Sequence, residues 1–299
     1  MARNIFLLAM ILFYSVHHAR ACDACGCSAG GIGLGLMAVY RGHLASVHYQ
    51  FAPFSSQLEQ TQGAKDFFHT TDWLLRYRLG LRWNLQFNQG FRWNYREHPD
   101  GNYSLSGLGD TRLGANYILF SQKSLGAGLE LYGEAGGGFK VPTGKFDPDL
   151  RSKNLPENFN PGQGAWGWQL QSNWVLKHPV LGLAVTTIFS DQLASKGGYH
   201  FGSQWMGQFL LFRHQLIKGD WSVMPYAGLQ SEIINRDLDT EGFYAHGTGG
   251  KGLFLTTGAN LKWSGWMLGG AISFPFHQHY SNAEVGADPR INIQFSRIF

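Results

Sequence analysis

The chain has 299 residues, a formal net charge of +4, and only 15% charged residues against 44% hydrophobic ones. So weakly basic a balance does not favour nucleic-acid binding. Its 40 glycines are about twice the usual supply, since average glycine usage is about 7%. This composition suits a protein with many tight turns and strand bends.

Residues 1–21 have the three parts of a secretory signal peptide. Arg3 supplies the positive start, residues 5–16 are apolar, and Ala19, Arg20 and Ala21 form an A-x-A cleavage site. The apolar part is shorter than the about 20 residues that a membrane-spanning helix needs, and no other stretch is long enough. We therefore predict cleavage after Ala21 and, if the mature chain enters a membrane, crossing by strands. Lipidation of Cys22 is the alternative, although Ala19 and Arg20 depart from the usual lipobox.

Residues 22–42 form a Cys- and Gly-rich segment that holds all three cysteines of the chain, Cys22, Cys25 and Cys27. One interpretation is a disulfide with one spare thiol, which an oxidising periplasm permits. The other is a soft-metal site, because a cluster of thiolates suits Cu(I), whereas Zn would need a fourth ligand such as an imidazole. His277 and His279 are further candidate ligands, since their spacing on a strand places both on the expected lumen face. Two polar residues at a barrel mouth are the alternative interpretation of this pair.

From residue 43 onward, apolar and polar residues alternate with a period of two, which predicts strands. In "LRWNLQFNQGFRWNYR", residues 81–96, the odd positions are mostly aromatic or aliphatic and the even positions are mostly Arg, Asn and Gln. The pattern predicts about twelve strands, near residues 43–52, 71–79, 81–95, 110–120, 127–140, 165–176, 182–190, 203–215, 221–234, 252–263, 266–277 and 289–299.

The aromatic face could be the core of a soluble sandwich or the lipid-facing side of an outer-membrane barrel. Loop length favours the barrel, because short connections such as "SG" at residues 264–265 alternate with long ones such as residues 141–164. Short periplasmic turns alternating with long extracellular loops are typical of outer-membrane barrels. The final strand, "RINIQFSRIF", also resembles the terminal strand that the barrel-assembly machinery recognises. We therefore predict an all-β, transmembrane antiparallel β-barrel over residues 43–299, located in the bacterial outer membrane.

Two stretches carry a family resemblance. "GLGDTRLGANYILF" at residues 107–120 and "GGGFKVPTGKFD" at residues 136–147 resemble the outer-membrane transporter family named after the meta-cleavage pathway of phenol degradation. The N-terminal "CDACGCSAGG" is similar to the start of barrel proteins of Bacteroidota. This resemblance implies an outer-membrane channel or transporter, and it does not fix the solute.

Charged side chains on the predicted lumen face are the candidates for a solute path. They are Arg76, Arg78, Arg82, Arg92, Arg112, Glu130, Glu134 and Glu232. The arginines come from neighbouring strands and would form one basic wall that sorts solutes by charge. The alternative is an interior network of ion pairs that fills and stabilises the barrel.

These features predict an outer-membrane channel or transporter for a small solute, linked to copper handling through the Cys cluster. Its partners would be the lipid bilayer, the barrel-assembly machinery, and a small solute or metal, without nucleic acid. The alternative is a metal-binding or partner-docking barrel with no open pore. An enzyme is not expected, because the sequence has no G-x-S-x-G, H-E-x-x-H or P-loop pattern.

Overall fold

A computed structural model describes residues 42–56, 63–99, 101–150, 155–217 and 219–299. Its strands are β1 (Leu44–Ser56), β2 (Lys65–Leu79), β3 (Trp83–Glu97), β4 (Tyr103–Leu108), β5 (Thr111–Gly126), β6 (Leu129–Val141), β7 (Gly167–Lys177), β8 (Leu181–Gln192), β9 (Gln204–Arg213), β10 (Gln215–Leu216), β11 (Ser222–Ile234), β12 (Gly250–Trp263), β13 (Trp266–Tyr280), β14 (Val285–Ala287) and β15 (Arg290–Ile298). Two 3₁₀ turns, Glu157–Phe159 and Ser281–Ala283, lie between strands. No helix among the described residues is long and apolar enough to cross a membrane.

The strands form a closed antiparallel barrel with 12 positions around its circumference. Three of these positions are each filled by two consecutive strands that share a neighbour. β4 and β5 both pair with β3, β9 and β10 both pair with β11, and β14 and β15 both pair with β1. Closure comes from β15, which pairs with β13 on one side and with β1 on the other. The predicted fold class and strand number are confirmed.

Alternation along the strands separates the outside of the barrel from the inside, as β3 shows. Its exposed residues include Trp83, Phe87 and Trp93, whereas Asn84 and Asn94 are buried in the interior. A polar interior and an apolar outer band are the arrangement of a transmembrane barrel. The prediction that aromatics face lipid and the Arg, Asn and Gln row faces inward is therefore confirmed.

The connections at one end of the barrel are short and those at the other end are long. At the short-turn end, Ser264 and Gly265 connect β12 to β13, with φ angles of 41° and 81°. Positive φ at both central residues is what a type I′ hairpin turn requires, and glycine adopts it without strain. The long-loop end carries the connections at residues 142–166, 193–203 and 235–249.

The longest connection does not extend away from the barrel. Within the described part of residues 142–166, Leu150, Leu155 and Phe159 are buried. They join a cluster with apolar side chains that point inward from the strands, including Phe54 and Phe254. The sequence predicted an extracellular loop but did not predict where its side chains lie. Burial of these three apolar residues stabilises the loop in the mouth of the barrel.

Candidate functional site in the barrel lumen

The β6–β7 connection occupies the long-loop end of the lumen; we refer to its described residues 142–150 and 155–166 as the inward loop. Phe159 is fully buried, packs edge-on against Phe68 with ring centroids 6.2 Å apart, and lies 6.0 Å from the Arg96 guanidinium. Arg96 in turn makes a two-point ion pair with Asp66, with both hydrogen bonds at 2.6 Å. The inward loop thus contributes Phe159 to an apolar cluster with Leu150, Leu155, Phe54 and Phe254, which we call the plug. The ion pair of Arg96 with Asp66 lies against it.

Polar contacts hold the inward loop to the barrel wall. Asn94 donates a hydrogen bond of 2.7 Å to the carbonyl oxygen of Phe159. Asp110 accepts backbone N–H groups from both sides of the loop, from Gly144 at 3.1 Å and from Gln163 at 2.8 Å. Because one wall carboxylate binds the start and the end of the loop, it closes the loop at its neck.

Glu134, on β6, is the centre of a buried hydrogen-bonded cluster deeper in the lumen. Its carboxylate accepts hydrogen bonds from Asn84 at 2.6 Å, Tyr132 at 2.7 Å, Asn173 at 2.9 Å and Asn116 at 3.3 Å. These donors come from β3, β6, β7 and β5. A carboxylate that is only 1% exposed needs such partners, since an uncompensated buried charge costs several kcal/mol. The cluster therefore joins four neighbouring strands across the lumen face.

Glu232, on β11, takes part in a second buried cluster. This cluster and that of Glu134 lie on different sides of the β1–β15 pairing that closes the barrel. Arg290 donates to both carboxylate oxygens, at 2.9 and 2.8 Å, and both side chains are 1% exposed. Tyr280 donates a further hydrogen bond to Glu232. The Arg290 guanidinium also lies 4.1 Å above the Phe254 ring, so this ion pair sits directly against the apolar plug.

Three of the predicted arginines lie together on the lumen face, and carboxylates accompany them. Arg76 and Arg92 are buried and Arg112 is half-buried, all on the lumen face. Asp72, buried on β2, interacts electrostatically with Arg92 and Arg112. The interior ion-pair network and the basic wall would thus be built from the same residues.

Three other predicted lumen residues lie near the short-turn end. Arg78, at the end of β2, donates to the carbonyl oxygen of Leu81 at 3.1 Å. Arg82 is exposed in the turn before β3 and donates to the carbonyl oxygen of Ile118 at 3.1 Å. It therefore lies at the rim, and the prediction that it belongs to the wall is wrong. Glu130 is half-buried near the start of β6, opposite Lys177.

The prediction that His277 and His279 face the lumen is wrong. The register of β13 against β12 shifts, because Leu253 pairs with His277 while the next residue, Phe254, pairs with Pro275. The extra residue of this bulge, Phe276, reverses the alternation beyond it. His277 is consequently exposed on the outer face, and inward positions fall to residues such as the buried Tyr280.

Cys22, Cys25 and Cys27 lie outside the described residues, as does the predicted signal peptide. Among the residues that the structure describes, no group of three or more His, Cys, Asp or Glu side chains could hold a metal ion. The metal prediction thus has no second set of ligands within the described barrel.

Two cavities lie in the lumen between the plug and the short-turn end. The larger, about 90 Å³, lies against β3 and β5 to β9 beneath the inward loop, and its lining includes Arg112, Lys140 and Gln163. The smaller, about 40 Å³, lies on the other side of the barrel, and its lining includes His48 and Asn292. Most of the lining residues of both cavities are polar, so the middle of the lumen suits water or a hydrogen-bonding solute.

Several interior charges were missed from the sequence. Asp66, Arg96, Asp110, Lys140 and Arg290 are all buried in the lumen or at its mouth. Strict alternation would have assigned Arg96 and Arg290 to the inward face, because each alternates with outward apolar residues. Asp110 gave no such signal, since it lies between β4 and β5, where the strand is interrupted.

The barrel is similar to solved outer-membrane proteins. An outer-membrane channel from Pseudomonas putida F1 matches with a TM-score of 0.65 and 17% identity, over 86% of this chain and 95% of that chain. The KdgM porin matches with a TM-score of 0.41 and 10% identity, over 85% and 99% of the two chains. A deltaS2 mutant of the TodX monoaromatic hydrocarbon channel matches with a TM-score of 0.40 and 9% identity, over 89% and 92%.

No protein-family profile matches the chain, and no curated protein is similar to it in sequence. The family resemblance of residues 107–120 and 136–147 therefore stays a prediction. The Pseudomonas channel supports the fold, which together with the apolar outer band and polar interior makes this chain an outer-membrane β-barrel of bacteria.

Proposed function

We propose that the protein is an outer-membrane channel for small solutes, and that undocking of the inward loop opens its lumen. The observation that carries the proposal is the position of this loop. Phe159 and its apolar neighbours occupy the long-loop end, and Gln163 of the same loop lines the larger cavity. A barrel that served only as a scaffold would not need a cavity lined by polar residues next to a loop docked in its mouth.

The contacts of the loop make undocking feasible. Asn94 on the barrel wall donates one hydrogen bond to Phe159 of the loop. Such a bond contributes about 1 kcal/mol to the free energy of docking. Its loss would raise the undocked population roughly 5-fold. Phe159 contributes more, since truncating a buried Phe to Ala costs about 3–5 kcal/mol.

The test is conductance of the purified protein in planar lipid bilayers. Asn94→Ala and Phe159→Ala are expected to increase the time spent in the conducting state, with the larger increase for Phe159→Ala. Phe243→Ala is the matched control, because Phe243 is 67% exposed in the β11–β12 connection and does not belong to the plug cluster. A heat-dependent shift in gel mobility verifies that each barrel is folded. Absence of conductance from the folded wild type and from both plug variants would contradict the channel proposal.

The alternative function is a metal-binding or partner-docking barrel with no open pore. The dense interior favours it, because the lumen holds fully buried side chains as large as Arg290, Phe254 and Tyr280. The same conductance experiment separates the two functions, since a permanently filled barrel conducts neither before nor after removal of the plug.

A link to copper handling through Cys22, Cys25 and Cys27 is a separate part of the proposal. It is supported by the spacing of three thiols in the sequence segment that precedes the first strand, and thiolates suit soft metals such as Cu(I). His277 and His279 no longer contribute to it, because both lie on the outer face of the barrel.

A further inference from the structure

Two cations lie opposite each other at the edge of the larger cavity that is nearest the inward loop. Arg112 on β5 and Lys140 on β6 are direct cross-strand partners, and both line the cavity. Like charges that are directly opposite in a sheet destabilise it. Their arrangement therefore favours an anion on the lumen side of the pair.

Carboxylates of the wall accompany this pair but are also bound elsewhere. Asp110 is 3.7 Å from the Lys140 ammonium, and its two oxygens accept the backbone N–H groups of Gly144 and Gln163. Asp72 interacts with Arg112, but also with Arg92. Among the described residues that line the cavity, Asp191 is the one carboxylate, and it pairs with Trp168 and follows the outward alternation of β8.

Glycine gives the cavity its space beneath the cations. The next inward pair after Arg112 and Lys140 is Gly114 with Gly138, followed by Gly136 opposite Asn116. A Cβ on Gly138 would collide with the carbonyl oxygen of Leu113, so the close approach of β5 and β6 excludes side chains there. Gly114 lines the cavity, and the absence of a side chain at Gly114 and at its partner Gly138 leaves a recess next to the cationic pair.

Beside Ser190 and Asp191, carboxamides form most of the remaining polar lining. They are Gln86, Asn88, Gln163, Gln169, Gln171, Gln192 and Gln204. Two of them, Gln163 and Gln192, accept hydrogen bonds from the Lys140 ammonium. The Asn88 side-chain oxygen has no hydrogen-bond partner among the described residues, so it is available to a donor such as a hydroxyl group. The lining therefore combines cations at one edge with neutral donors and acceptors around the body of the cavity.

We propose that this cavity binds a small hydroxylated carboxylate as it passes through the barrel. Arg112 and Lys140 would bind the carboxylate by charge-assisted hydrogen bonds, its body would lie over the glycine recess, and carboxamides would bind its hydroxyl groups. An apolar cavity of about 150 Å³ holds benzene, so a cavity of about 90 Å³ sets the size nearer to lactate. This inference deepens the proposed channel function and rests on it.

The test compares fluxes of radiolabelled lactate and lactamide in proteoliposomes that contain the full-length protein. The two solutes have nearly the same size and hydroxyl group, and they differ in charge. We expect lactate flux to exceed lactamide flux by about tenfold or more, since hydrogen bonds to charged groups are stronger than neutral ones by that order. Arg112→Gln with Lys140→Gln should bring the ratio close to one, whereas Lys140→Arg should keep it.

Lys123→Gln is the matched control, because it removes one positive charge from an exposed position of β5, outside both the cavity and the inward loop. It should leave the lactate preference unchanged. Equal fluxes of lactate and lactamide through the wild-type protein would overturn the inference without any variant having to fold. An unchanged preference in the folded Arg112→Gln, Lys140→Gln protein would overturn it as well. Either result with measurable flux leaves the channel proposal standing, whereas no flux of either solute would count against the channel itself.

Discussion

Replacing Arg290 by Met would test whether the interior is held by paired charges. The guanidinium makes hydrogen bonds of 2.9 and 2.8 Å to Glu232, and both side chains are only 1% exposed. Breaking a buried ion pair by removing one partner typically costs about 3–5 kcal/mol, because the remaining charge is buried without compensation. Tyr280 still donates to Glu232, so we expect the lower end of this range, about 3 kcal/mol.

The measurement is guanidinium-induced unfolding of the refolded barrel in detergent, followed by tryptophan fluorescence. Glu232→Leu combined with Arg290→Met should recover most of the lost free energy of unfolding, since replacing both members of a buried pair by apolar residues is often neutral. Arg213→Met is the control, because Arg213 is exposed at the end of β9 and surface changes usually stay within about 0.5 kcal/mol. If Arg290→Met cost no more than Arg213→Met, the pair would not stabilise the barrel and the reasoning would fail.

Two further predictions concern topology and metal binding. An even number of strands places the first and the last strand's free termini at the short-turn, periplasmic side. An epitope inserted at the exposed Gly242, at the long-loop end, should therefore be labelled on intact cells. Labelling only after permeabilisation would mean that the orientation is reversed. Asn158 is unsuitable for this test because it is buried in the inward loop. Reduced mature protein should retain Cu(I) against a competing chelator, and a variant with Cys22, Cys25 and Cys27 changed to Ser should not. Equal retention by the two proteins would remove copper from the proposed function.

The sequence alone determined the architecture of the barrel. Side chains alternate between the two faces of every strand, so the pattern at Trp83 to Trp93 already separated an outward aromatic row from an inward polar row. Connection length then favoured the membrane barrel over a soluble sandwich. These properties are local, since each depends on a residue and its immediate neighbours along the chain.

The candidate site depended on contacts that the sequence pattern does not contain. Arg290 and Glu232 are 58 positions apart, and only closure of the barrel brings them together. The bulge at Phe276 turned His277 and His279 outward, because one extra residue reverses every later side chain on the strand. The inward loop entered the mouth because Phe159 could bury its ring against side chains from distant strands. Alternation assigns a side chain to a face, whereas its partners on that face are set by strand register and loop docking, which exist only in the folded barrel.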